Sequence, residues 1–108
     1  MRLGFSNLLW SADLDPAAAT LLAEHGIDSI DVAPTRYAAD IASADAAHWR
    51  SIRQWWTARG MAITGMQSLL HGTDGLDIFG TATVRARTAA HLQANLRIAV
   101  ELGATQLV

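Results

Sequence analysis

Four short, unbroken apolar runs alternate with three longer segments of helical character, and this order constrains the fold more than any other feature. The runs are Leu3 to Leu8, Ser29 to Ala33, Ala62 to Gln67 and Thr105 to Val108. None alternates cleanly between apolar and polar residues, so each suits a strand buried on both faces, as in a parallel sheet. The segments between them carry helix signals. Asp15-Pro16 predicts a start, with Asp15 as N-cap and Pro16 in the first helical position, and Gly26 predicts the stop. A second helix spans about Asp45 to Arg59 and is closed by Gly60, with Trp49, Ile52 and Trp56 on one face. The third starts near Thr83 and runs to Leu102, ahead of Gly103. In it Val84, Thr88, Leu92, Leu96, Ala99 and Leu102 recur at spacings of three and four and form one apolar stripe. The resulting order, β-α-β-α-β-α-β, calls for parallel strands joined by right-handed crossovers.

Two α/β folds fit that order. An open dinucleotide-binding sheet would carry G-x-G-x-x-G after its first strand. Here the first run leads into Ser6-Asn7-Leu8-Leu9-Trp10, without a glycine. A (β/α) barrel instead gathers its chemistry at the C-terminal ends of its strands, and polar and aromatic residues do collect there: Asn7 and Trp10, Asp31 and Arg36, Gln67 and His71. A complete barrel takes about 250 residues, and this chain has 108, ending within the apolar run at Gln106-Leu107-Val108. The expected fold is therefore α/β, the N-terminal half of a (β/α)8 TIM barrel. It has about four β/α units, parallel strands and outer helices, in one partial domain over 1–108 cut within strand four. In a half-barrel the interior face of the sheet, with Leu3, Phe5, Ile30, Val32, Ile63 and Leu107 or their strand neighbours, is expected to be apolar and, with the open edges, to drive association.

Composition removes several chemistries. All eight basic residues are Arg, so there is no Schiff-base lysine, P-loop lysine or Ser–Lys pair. Cysteine is absent, which removes disulfides, thiolate zinc sites and thiol nucleophiles. The net charge of −2 gives no field that would gather nucleic acid or an anionic membrane. The N-terminus, Met1-Arg2-Leu3-Gly4-Phe5-Ser6-Asn7, lacks the pattern of a signal peptide, and no apolar run is long enough to span a membrane. A cytoplasmic location is expected.

Taken together, three stretches resemble the N-terminal part of the sugar phosphate isomerase/epimerase group, the TIM barrels related to xylose isomerase. They are Leu3-Gly4-Phe5-Ser6-Asn7-Leu8-Leu9-Trp10, then His25-Gly26-Ile27-Asp28-Ser29-Ile30-Asp31-Val32-Ala33-Pro34, then Trp55-Trp56-Thr57-Ala58-Arg59-Gly60 leading into Ile63-Thr64-Gly65-Met66-Gln67-Ser68-Leu69-Leu70. The resemblance covers essentially the whole chain. It implies metal-assisted proton transfer next to the carbonyl of a sugar or sugar phosphate, with a carboxylate as base. It also implies a divalent metal (Mn, Mg, Co or Zn) whose ligands come from later strands, so no catalytic or metal-ligating residue is carried onto this chain, and the chain alone is expected to be inactive. Two other readings stand beside it. One is a related barrel that cleaves DNA at abasic sites, against which count the negative charge and the lack of a histidine–aromatic pair at Met66-Gln67-Ser68. The other is a non-catalytic half-barrel that associates with copies of itself through open sheet edges.

Four residues are candidates for substrate binding: Asn7, Trp10, Gln67 and His71. The amides of Asn7 and Gln67 either fix sugar hydroxyls or satisfy loop backbone groups. Gln67, at a strand end in a matching stretch, is the stronger of the two. Trp10 either walls a sugar pocket or packs under a loop. His71 either touches a metal or hydroxyl or is an ordinary loop histidine, which its lack of a nearby second ligand favours. Asp31, a carboxylate in a buried strand, needs a partner or a pocket, and pairing with Arg36 is the expectation. His25, His48 and His91 are read as helix-surface residues, and Trp49 and Trp56 as helix-to-barrel core.

Overall fold

The structure, a computed structural model, describes residues 3–108; Met1 and Arg2, which open the N-terminal stretch, lie outside the described residues. Its elements are β1 (Gly4–Ser6), α1 (Asp15–Glu24), β2 (Ser29–Val32), α2 (Ala46–Thr57), β3 (Ala62–Met66), α3 (Ala82–Leu102) and β4 (Gln106–Leu107). Single 3-10 turns at Asn7–Leu9, Ala12–Leu14 and Pro34–Arg36 fill the first two strand-to-helix connections. The four strands form one sheet in the order β1-β2-β3-β4, every pair parallel. Strictly sequential order has no point at which the strand sequence reverses, so it excludes the open dinucleotide-binding sheet and fits a barrel wall.

Local chemistry explains the helix ends. The Asp45 carboxylate accepts from the His48 N–H and caps α2, and the Thr81 hydroxyl accepts from the Val84 N–H and caps α3. Gly103, at φ +79°, closes α3 in the left-handed region. At α1 the expected cap is corrected: Leu14 occupies the N-cap and Asp15 is the first helical residue. The Asp15 side chain turns away from its own helix because Trp10 and Tyr37 offer better donors.

The core lies between one face of the sheet and the helices. Ile30, Val32, Ile63 and Met66 from the strands meet Trp49, Trp56, Ala19, Leu22, Ile98 and Leu102 from the helices. The role expected for Trp49 and Trp56 is thus the observed one. The expected stripe of α3 is rotated. Thr88, Asn95, Ile98, Ala99 and Leu102 are buried, whereas Leu96 is 56% exposed. A helix lying over a sheet buries the flank turned toward its neighbours, here β3 and α2, and the apolar period extends beyond that flank. Among the described residues no helix is long and apolar enough to cross a membrane.

The opposite face of the sheet is where expectation fails most clearly. Ile30, Val32 and Ile63 face the helices, not the barrel interior. Leu107, paired with Met66, lies on the same outer side. Phe5 pairs in register with Ile30 and so shares that side, still 40% exposed. The inner face carries Gly4, Ser29 and Ala62 in one layer and Ser6, Asp31, Gly65 and Gln106 in the next. Each of these residues is either small or polar.

Candidate functional site

The inner face owes its chemistry to a one-residue irregularity in β3. Ile30 pairs with Ile63, but Asp31 pairs with Gly65 and Val32 with Met66, so Thr64 is the extra residue of a bulge. Plain alternation from Ile63 would send Gly65 outward, Met66 inward and Gln67 outward. The bulge reverses this: Met66 is buried under the helices, and Gln67 emerges on the inner face, where its amide donates to the Ser6 hydroxyl. The Thr64 hydroxyl lies within 3.3 Å of the Ile30 carbonyl and 3.1 Å of Asp31 Oδ1.

Gly65 makes the arrangement sterically available. A Cβ there would stand 2.6 Å from Asp31 Oδ1 and 2.9 Å from its carboxyl carbon. The Asp31 side chain therefore lies across the backbone of β3, in room that only glycine leaves. The expected Asp31–Arg36 pair does not form. Arg36 donates instead to the Leu8 carbonyl at 3.1 Å, because the turn at Pro34–Arg36 carries it toward the Asn7–Leu9 turn and away from the sheet face.

Beside this patch a hydrogen-bonded cluster ties the first two strand-to-helix connections to α2. Asp15, buried at the start of α1, accepts from Trp10 Nε1 at 2.7 Å and from the Tyr37 hydroxyl at 2.9 Å. The Tyr37 oxygen in turn accepts from Trp56 Nε1 at 3.0 Å. Burial is the main cause that holds the Tyr37 hydroxyl above the usual tyrosine range; the Trp56 donor opposes the rise and the Asp15 charge adds to it.

Of the four candidate residues, one joins the inner-face patch and one the Asp15 cluster. Gln67 lies on the inner face with Ser6. Asn7 is buried, and its amide oxygen accepts from the Ala33 N–H at 2.8 Å, joining the ends of β1 and β2. Trp10 is half-buried and held through its ring N–H by Asp15. His71 is exposed on the β3–α3 connection, three residues beyond Ser68, whose φ of 58° turns the chain sharply after Gln67. The structure thus brings Asn7 and Gln67 to the same end of the sheet, after β1 and β3 on either side of β2, and leaves His71 apart. Of the helix histidines, His25 is exposed as expected, but His48 and His91 are half-buried. His91 Nε2 lies 2.8 Å from the Leu69 carbonyl, which can only accept, so this nitrogen carries the proton and latches the β3–α3 connection.

Sequence reasoning does not single out Ser6, Thr64 or Gly65. A lone glycine inside a strand pattern is the one signal that points to them, since it marks a bulge or a close approach. Among the described residues no group of three or more His, Asp or Glu stands close enough to hold a metal ion by itself.

No protein-family model matches the chain, and no curated protein matches it by sequence. Among solved structures it is similar to the crystal structure of D-psicose 3-epimerase in the presence of D-fructose, with a TM-score of 0.72 at 22% identity. The match covers 99% of this chain and 36% of that one. The chain has the fold of half a (β/α)8 barrel. It spans about a third of the length of the structure it matches, with the strands forming the wall and the helices the outer layer.

Proposed function

We propose that residues 1–108 are the N-terminal half-barrel of a sugar or sugar phosphate isomerase/epimerase and supply part of its substrate-binding wall. The observation that carries this reading is the polar patch Ser6–Asp31–Gln67 at the C-terminal ends of β1, β2 and β3, on the face turned away from the helices. Enzymes of barrel fold place their chemistry at that end. Neutral amides and hydroxyls around one carboxylate suit a polyhydroxyl ligand, and the likeness to an epimerase acting on a ketohexose agrees. In this reading Gln67, preset by Ser6, orients the sugar. Asn7 holds the ends of β1 and β2 in position and Trp10 walls the site, while His71, on the β3–α3 connection, stands apart from them. The divalent metal and the catalytic base belong to residues outside this chain, and the location is cytoplasmic.

The test is Gln67→Ala in the whole gene product, assayed with D-fructose and related ketohexoses and their phosphates. Loss of one hydrogen bond to a neutral group is worth about 1 kcal/mol, so kcat/KM falls roughly fivefold, with little change in melting temperature. Unchanged activity with a lowered melting temperature would give Gln67 a purely structural role.

The self-association reading retains one supporting observation. β1 and β4 each have a single neighbour, so among the described residues each leaves an unpaired edge. We expect residues 1–108 expressed alone to sediment as dimers or larger at high micromolar concentration. A monomer with cooperative unfolding would show that the edges are innocuous.

A further inference from the structure

Asp31 combines three features that the proposed site leaves unused. It is a half-buried carboxylate on the inner face, and no arginine pairs with it among the described residues. Thr64 occupies only Oδ1; Oδ2 takes no hydrogen bond among the described residues. Its flanking positions in the same layer are Ser6 on one side and Gly65 on the other, both small.

Each feature has a cost that a purely structural residue would not incur. A carboxylate inside a barrel wall is expensive without donors. The bulge interrupts the β2–β3 ladder, and a glycine inside a strand weakens it. The three costs converge on one side chain, whose Oδ1 is held by Thr64 and whose Oδ2 takes no hydrogen bond among the described residues.

We infer that Asp31 is a specificity-determining residue that accepts a hydrogen bond from a hydroxyl of the bound sugar, presented by Thr64 and by the space left at Gly65. This deepens the reading of the site as a sugar-binding wall and rests on it. The ligand chemistry is that of a neutral polyol segment. A phosphate lying against the same layer would meet the carboxylate, and the described arginines other than Arg36 lie in or beside the outer helices α2 and α3.

The experiment compares wild type, Asp31→Asn, Asp31→Ala and Gly65→Ala in the whole gene product, with D-fructose and its singly deoxygenated analogues. A hydrogen bond to a charged acceptor is worth about 10- to 100-fold in affinity. Asp31→Ala therefore raises KM by that factor and leaves kcat within about threefold. Asp31→Asn, which keeps the shape but not the charge, falls between. Gly65→Ala displaces the carboxylate and reproduces the KM effect, and adds nothing once Asp31 is already Ala. One deoxy analogue, lacking the hydroxyl that Asp31 accepts, shows no difference between wild type and Asp31→Ala. An active wild type whose Asp31 variants keep the same KM for every analogue overturns this inference and leaves the site reading standing. A wild type that neither binds nor turns over any ketohexose overturns both.

Discussion

Asp15→Ala lowers the stability of the chain by about 3 kcal/mol, and thermal unfolding followed by circular dichroism shows a fall in Tm of roughly 15 °C. The carboxylate accepts from Trp10 and from Tyr37, and it is only 7% exposed. Bonds to a charged acceptor are worth about 1.5–3 kcal/mol each. Truncation also leaves the Trp10 N–H and the Tyr37 O–H without their acceptor in partly buried surroundings. Against a total of about 5–15 kcal/mol for a domain of this size, that is a large share. Asp15→Asn keeps one acceptor oxygen and loses about half as much. The same cluster makes stability depend on alkaline pH. The Tyr37 hydroxyl titrates above its unfolded value because burial disfavours the phenolate. Its contribution is therefore complete below the ordinary tyrosine pKa of about 10 and is lost as pH rises beyond it. Tyr37→Phe flattens that alkaline limb. An Asp15→Ala protein with an unchanged Tm would show that Trp10 and Tyr37 find water as readily as the carboxylate.

Trp56→Ala has the larger effect, about 4 kcal/mol, read as a lower midpoint in denaturant titration. The ring is fully buried, packs edge-on against Trp55 with centroids 4.9 Å apart, and donates to Tyr37. Trp56→Phe keeps most of the packing and loses the donor, at about 2 kcal/mol. Trp49 is the control. It is equally deep, but its ring N–H has no partner among the described residues, so Trp49→Phe costs less than Trp56→Phe. Trp56→Ala and Asp15→Ala share Tyr37, so their combined effect departs from the sum. Strict additivity in denaturant titrations would mean that the four residues do not act as a unit.

The element order is legible in the sequence because the strands are unbroken apolar runs and the helices end in glycine. Trp49 and Trp56 are legible as core because helical spacing and burial agree there. Which face of each strand is buried is not legible. Ile30, Asp31 and Val32 have the same neighbours in the sequence whether the aspartate points in or out; only the pairing with β3 decides. Proximity along the chain assigns Asp31 to Arg36, and the Pro34 turn sends Arg36 elsewhere. Asp15 carries every local mark of a cap, yet Trp10 and Tyr37, from the first and second strand-to-helix connections, outcompete the helix N–H groups. In each case a contact between distant segments overrides a local rule. For the site, Gln67 is recognisable as a strand-end amide, while its partner Ser6, 61 positions away, is not.

The extra residue at Thr64 gives β3 two parities. Up to Ile63 the odd positions belong to the helix layer; from Met66 onward the even ones do. A substitution rule learned on one half of the strand therefore inverts on the other. Deleting Thr64 would restore a single phase, and Met66 and Gln67 would keep the faces they already have relative to Ile63. The bulge therefore costs no neighbouring side chain its face; what it adds is the Thr64 hydroxyl beside Asp31. Relatives of this chain that lack the extra residue should keep the two faces of the strand and lose the hydroxyl that holds Asp31.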